Sequence, residues 1–343
     1  MVGSVGMRAP PAKWLSIAIV VTILICFAAY QPLVAHFSGP AKRIPGTGRI
    51  IAVCCEFCGG LSDRVRGISY AHEVASLTGR TLEVDNSVFH KRKAQSPCKI
   101  NRSSTLYRII DRPHSLTEIK QLNDFKDIYF ECNIDASAEY IHSHGYQSGL
   151  EMGSAAAREH IPCKNRALSY ADSVVHRFGS DFTVLHLRTG GSNITIGDQV
   201  MKTVQWEDGH GSGLPDALLK YTKRIPSDCT CKTPLVIVSD SSRLVSELQM
   251  ALYGKMTVFS QGSQAVHMDR PRDGHSEECD QSIFDLAVMS SAREIIGTHG
   301  QFGHLGAVLF AKTPVPYFQS KNADAVMKRV LRSTGCSCMH TVL

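Results

Sequence analysis

From Arg49 onward the chain alternates between short apolar runs and longer stretches whose apolar positions recur at helical spacing. Arg49 to Cys55 predicts a strand. Ser62 to Leu77 predicts a helix, with Val65, Ile68, Ser69, Ala71, Val74, Ala75 and Leu77 on or near one face. Gly79 stops it, and Thr81 to Val84 is the next strand. After a long middle the alternation resumes. Ala167 to Arg177 is a predicted helix and Phe182 to Leu187 a buried strand. Then come helix Leu214 to Arg224, strand Pro234 to Val238, helix Arg243 to Leu252 and strand Lys255 to Phe259. Helix Ser282 to Ala292, strand Glu294 to Ile296, helix Gly303 to Phe310 and strand Val315 to Phe318 close the pattern. Strands alternating with helices imply parallel sheets covered on both faces, hence an α/β fold. The middle, Phe89 to Pro162, shows only a short strand at Ile128 to Phe130, and a loop and short helix between Gly145 and His160. It carries no motif and is expected to hold acceptor-specific structure.

The first apolar run differs in kind. Trp14 to Tyr30 is apolar except for Ser16 and Thr22, and Arg8 and Lys13 precede it. Its 17 residues are the short end of a membrane span. An uncleaved signal-anchor is expected, with a cleaved signal peptide as the other reading. Residues 1–37 would be tail and anchor, and 38–48, with Pro40 and Pro45, a short stem. The rest would face the lumen of the Golgi or the endoplasmic reticulum, as in a single-pass type II protein. Cysteine usage points the same way. Of 12 cysteines, 11 follow the apolar run, and none has zinc-site spacing. Cys229/Cys231 and Cys336/Cys338 suit loops clamped by disulfides in an oxidising compartment. Asn101-Arg102-Ser103 and Asn193-Ile194-Thr195 are glycosylation sequons. The net charge of +6 is scattered, with one small cluster at His90 to Lys93, so no nucleic-acid partner is expected.

Four stretches carry chemistry. In the first, Gly59, Gly60, Ser62, Asp63 and Arg64 join a strand to a helix. Its glycines let the backbone approach a ligand, and its helix start favours an anion. It has neither the Gly-Lys-Ser/Thr of a phosphate-binding loop nor Gly-x-Gly-x-x-Gly. In the second, His186-Leu187-Arg188 ends an apolar strand and is followed by Thr189-Gly190-Gly191. A guanidinium there can fork onto a diphosphate, because ligands of open α/β sheets bind at the carboxyl ends of strands. His186 reads either as part of the site or as a hydrogen-bonded core residue. In the third, Val236 to Ser239 lead to Asp240, which serves either a nucleotide or the next helix as its cap. In the fourth, Asp285 to Phe318, the run Asp285 to Gly297 leads into Thr298-His299-Gly300-Gln301-Phe302-Gly303-His304-Leu305-Gly306.

The turn Gly59 to Gly67 and the helix end Leu77 to Leu82 resemble the start of the fucosyltransferase superfamily. That group holds the bacterial nodulation, core α1,6-, plant xyloglucan and protein O-fucosyltransferases. The other three stretches resemble its later motifs, in the family order. The resemblance implies two Rossmann-like domains of the GT-B type, with the acceptor side in residues 49–180 and the nucleotide-sugar side in 181–343. It implies that Arg188 binds the β-phosphate of GDP-fucose and steadies the leaving group, and that transfer inverts the fucose anomeric carbon. Gly59, Gly60, Asp63, Arg64, His186, Asp240, Thr298, Gly300 and Gly303 are the expected nucleotide-sugar contacts. The acid that often follows the family's Arg is missing at Thr189 to Gly191, and Thr298 to Gly303 lack the usual serines.

No Asp-x-Asp occurs, so neither a metal nor another cofactor is expected, and Arg188 with backbone amides would stabilise the diphosphate. Glu56, Asp63, Asp198 and His210 are candidate bases, with Glu56 preferred for its place at a strand end beside the glycine turn. The expected partners are GDP-fucose, a glycan or glycoprotein acceptor, and a membrane through the N-terminal helix. Two other readings stay open: a different nucleotide-sugar transferase on the same scaffold, and a non-catalytic secretory protein that binds a nucleotide or glycan.

Overall fold

A computed structural model describes residues 48–54, 60–89, 105–107, 126–130, 134–188, 194–196, 199–201, 214–239, 241–260, 281–298 and 300–338. The apolar run Trp14 to Tyr30 and the sequon asparagines Asn101 and Asn193 lie outside them. Among the described residues no helix is long and apolar enough to cross a membrane.

The described strands are β1 (Arg49–Ala52), β2 (Thr81–Val84), β3 (Thr105–Tyr107), β4 (Asp127–Phe130), β5 (Thr183–Leu187), β6 (Ile194–Ile196), β7 (Gln199–Met201), β8 (Leu235–Ser239), β9 (Val258–Ser260), β10 (Glu294–Gly297) and β11 (Tyr317–Gln319). The helices are α1 (Leu61–Thr78), α2 (Ala138–Ser143), α3 (Gly149–Ala157), α4 (Lys164–Phe178), α5 (Leu214–Thr222), α6 (Ser242–Leu252), α7 (Gln281–Ser290), α8 (Phe302–Val308) and α9 (Ala323–Ser333). The expected strands and helices at these places are present. The sequence reading missed β3, the β6–β7 hairpin, α2 and α9.

Two parallel sheets result. The first has the order β2-β1-β4-β3 and the second β11-β10-β5-β8-β9. The second is doubly wound: the chain steps outward from β5 through β8 to β9, then returns to place β10 and β11 on the other side. The order therefore reverses between β5 and β10, where such sheets take ligands.

Alternation along the strands builds the core. Val184, Val236, Val238 and Ile295 belong to one apolar cluster, which continues through Leu286 and Leu305 to Ile50, Val65, Ile68 and Leu150 of the first sheet and its helices. Leu185, Leu187, Leu235, Ile237 and Ile296 face a second cluster with Leu248, Leu252, Val326 and Val330. Strands buried on both faces read as unbroken apolar runs, which is why β5 was plain in the sequence. Each such side chain contributes about 1.5–3 kcal/mol by leaving water.

Helix α3 lies on α1 closely enough that a Cβ on Gly153 would come 2.0 Å from the Val65 carbonyl oxygen. The α8 helix touches both α1 and α3. Just after α3, Arg158 closes the C-terminal end of α8. Its guanidinium donates to the carbonyls of Leu309 at 3.0 Å, Ala311 at 3.2 Å and Val308 at 3.4 Å. These last carbonyls lack helical partners, and a cation suits that end of the dipole. Residues from the first half thus hold one end of the helix whose other end leads back toward Thr298. At the far side of the molecule, Cys229 bonds Cys338 and Cys231 bonds Cys336, so the two expected loops clamp each other. Cys54 and Cys163 are also in disulfides.

Candidate functional site

The carboxyl ends of β5 and β10 are neighbours, with His186 paired to Gly297 in register. The ladder extends one step past the strands. The Thr298 backbone N–H donates to the His186 carbonyl at 3.1 Å, and the Arg188 N–H donates to the Thr298 hydroxyl at 3.1 Å. Thr298 is fully buried. Its side chain therefore fixes the backbone from which the half-exposed Arg188 projects. Gly300 follows with φ +85°, a left-handed conformation that a residue with a Cβ rarely adopts. A Cβ there would lie 3.3 Å from Arg188 Cδ, so the Arg188 stem runs directly over this turn.

Tyr317 of β11 props the turn from beneath. Its hydroxyl donates to the Gly300 carbonyl at 3.4 Å, and Gln319 Nε2 donates to the same oxygen at 3.4 Å. Added Cβ atoms on Gly297 and Gly303 would meet the Tyr317 ring or hydroxyl at 2.7 Å. Gly303 is thus required by the ring packed on it. His304 stacks on Tyr317, with centroids 5.8 Å apart and rings 11° from parallel. Burial holds the His304 imidazole below its ordinary pKa, opposed in part by the carboxylate of Glu151 on α3. Burial pushes the Tyr317 phenol up to about 12, so it stays a neutral donor. His186 is 5% exposed, and its ring lies 5.4 Å from that of Phe302. It packs beneath the turn.

Arg188, His186, Thr298, Gly300 and Gly303 thus come together at the point where the second sheet reverses. Gly60, Asp63 and Arg64 lie at the head of α1. The Asp63 carboxylate accepts from the Gly60 N–H at 3.1 Å and pairs with Arg66 at 2.8 Å, so it closes the first turn of its own helix. Arg64 is 3% exposed and donates to the carbonyls of Val88 at 3.1 Å and Ser87 at 3.5 Å. Arg66 also reaches Asp135 at 3.5 Å. Burial raises the Asp135 carboxyl pKa and Asp63 adds to the rise, while Arg66 opposes it. Glu56, Gly59 and Asp240 lie outside the described residues, as do Asp198 and His210.

Sequence reasoning missed Tyr317, Gln319, His304, Glu151 and Asp135. Only the adjacency of β11 to β10, and of α3 to α8, makes the first four part of this region. Among the described residues, one group of three metal-ligand side chains converges, Cys229, Cys231 and Cys336. All three are in disulfides and offer no thiolate.

No protein-family profile and no curated protein matches the chain. Several solved structures are similar to it. One is POFUT1 in complex with GDP-fucose, at 11% identity and a TM-score of 0.43, covering 82% of this chain and 99% of that one. Another is the NodZ α1,6-fucosyltransferase co-crystallised with GDP, at 12% identity and a TM-score of 0.41, covering 77% and 93%. A third is NodZ from Bradyrhizobium, at 11% identity and a TM-score of 0.39, covering 77% and 92%.

Proposed function

We propose that this protein is a glycosyltransferase of the fucosyltransferase type. It transfers fucose from GDP-fucose, with inversion and without a metal ion, to a hydroxyl of a glycan or glycoprotein. One observation carries the reading: Arg188 stands at the carboxyl end of β5, at the sheet's reversal point, pinned by Thr298 and backed by Gly300. A nucleoside diphosphate seated there meets a forked donor whose backbone is pinned and whose stem lies over the Gly300 turn. As the glycosidic bond breaks, negative charge builds on the β-phosphate, and a fixed guanidinium stabilises that charge more than it stabilises the intact donor. Arg188 is the catalytic residue of this scheme, and Thr298, Gly300 and Tyr317 position it. Glu56, which follows β1, is the group assigned to take the acceptor proton. The apolar run near the N-terminus and the disulfides support a tethered, lumenal protein.

A donor panel tests this. Purified protein is given GDP-fucose, other GDP-sugars and UDP-sugars, and nucleotide release is measured. Release from GDP-fucose well above the rest is expected. Preference for a UDP-sugar would assign a different transferase. Absence of release from every donor, with no rise in melting temperature on adding GDP, would contradict the proposal.

A further inference from the structure

A second feature lies at the amino ends of the inner strands of the second sheet. Asp181 precedes β5, Thr233 precedes β8, Arg293 precedes β10, which Glu294 opens, and α9 ends near them. Between them is an open depression of about 500 Å³, within the range of small-molecule sites. Six charged side chains line it: Lys232, Arg293, Arg329 and Arg332 against Asp181 and Glu294. Four cations face two carboxylates, an excess of two positive charges.

The acids account for only two of the cations. Arg293 pairs with Asp181 at 2.7 Å and also donates to the Ser333 carbonyl, where it caps the end of α9. Arg329 pairs with Glu294 at 2.5 Å and lies over the Phe318 ring. Lys232 and Arg332 are exposed and make no ion pair among the described residues. The wall that carries Lys232 is unusually fixed for a loop. The Lys232 and Thr233 N–H groups both donate to the Thr334 carbonyl at 3.0 Å, and the two disulfides tie residues 229–231 to 336–338. Two cations without ion pairs among the described residues, one of them on a clamped loop beside a depression of this size, suit an anion that carries several oxygens.

We infer that this depression binds a sugar bearing a phosphate or sulfate ester. Lys232 and Arg332 take the ester oxygens, and the site is separate from the one at Arg188. The pair was not legible in the sequence, because 100 positions separate the two residues, and the disulfide clasp together with the hydrogen bonds to the Thr334 carbonyl brings their segments together.

Calorimetric titration of the full chain with glucose 6-phosphate and with N-acetylglucosamine 6-sulfate tests the inference, with the two unmodified sugars as controls. Saturable binding of at least one ester, weakened by salt and absent for its control, is expected. The preferred ester identifies the source as a phosphorylated or a sulfated sugar. Lys232→Ser with Arg332→Ser should weaken binding by roughly tenfold or more. Both side chains are exposed, so the melting temperature should hold. Arg188→Ala should leave ester binding unchanged. The inference is overturned by no saturable binding below about 10 mM, by binding that the double variant retains, or by binding that Arg188→Ala abolishes.

Discussion

The buried hydroxyl of Thr298 accepts a hydrogen bond from the backbone N–H of Arg188 at 3.1 Å, joining the ends of β5 and β10. The bond fixes the backbone from which the Arg188 side chain projects. Thr298→Val keeps the volume but leaves that N–H without its acceptor, at a cost of about 1–2 kcal/mol. Turnover of the donor should fall by roughly tenfold, and Thr298→Ser should restore most of it. Equal turnover in the Val and Ser variants would show that the hydroxyl does not position Arg188.

Gly300→Ala forces a Cβ into a left-handed residue, at about 1–2 kcal/mol. The new atom also presses on Arg188 Cδ, 3.3 Å away. Kinetics should show a several-fold lower kcat with a modest fall in melting temperature. Wild-type kcat in this variant would mean that the turn does not set the Arg188 stem.

Acid should destabilise the protein from about pH 6.5 downward. Burial holds His304 below the ordinary 6.5, and burial with nearby His144 does the same to His72. The unfolded chain then takes up protons first, so this stability is present above 6.5 and is lost as pH falls toward the folded values. Melting temperatures measured from about pH 7.5 to about 5 should fall less steeply in His304→Gln than in wild type. Identical slopes would remove His304 from the account.

Activity should survive chelation. Excess EDTA should leave steady-state rates within about two-fold of those with Mg²⁺. Complete loss, restored by Mn²⁺, would reveal a metal site and contradict the proposed mechanism.

Much of the second half was legible in the sequence because its strands are buried on both faces. Phe182 to Leu187 reads without ambiguity, and the residue after it is Arg188. What a single run cannot show is which strand lies beside it. The pairing of β10 with β5 brings the Thr298 hydroxyl to the backbone N–H of Arg188. The place of β11 brings Tyr317 under Gly300. Helix α9 was readable and overlooked: Asn322 caps it, and Val326, Met327, Val330 and Leu331 form its buried stripe. Arg64 is buried, which its residue type did not suggest. It shares a helix face with Ile68 and Ala71, and that spacing points it inward. The first half was harder because its chain path through the middle lacks periodic runs, and the close approach of α3 to α1 depends on Gly153 rather than on a large apolar side chain.

The central claim is that Arg188 stabilises a departing nucleoside diphosphate. The most direct measurement is kcat/KM for GDP-fucose in wild type, Arg188→Ala and Arg188→Lys, with melting temperatures to confirm folding. Loss of one preorganised charged donor predicts about 3 kcal/mol, a fall of roughly a hundredfold or more in the Ala variant. Lys should recover little, because a point charge cannot fork onto two oxygens. Folded Ala and Lys variants that turn over GDP-fucose within a few-fold of wild type would contradict the account.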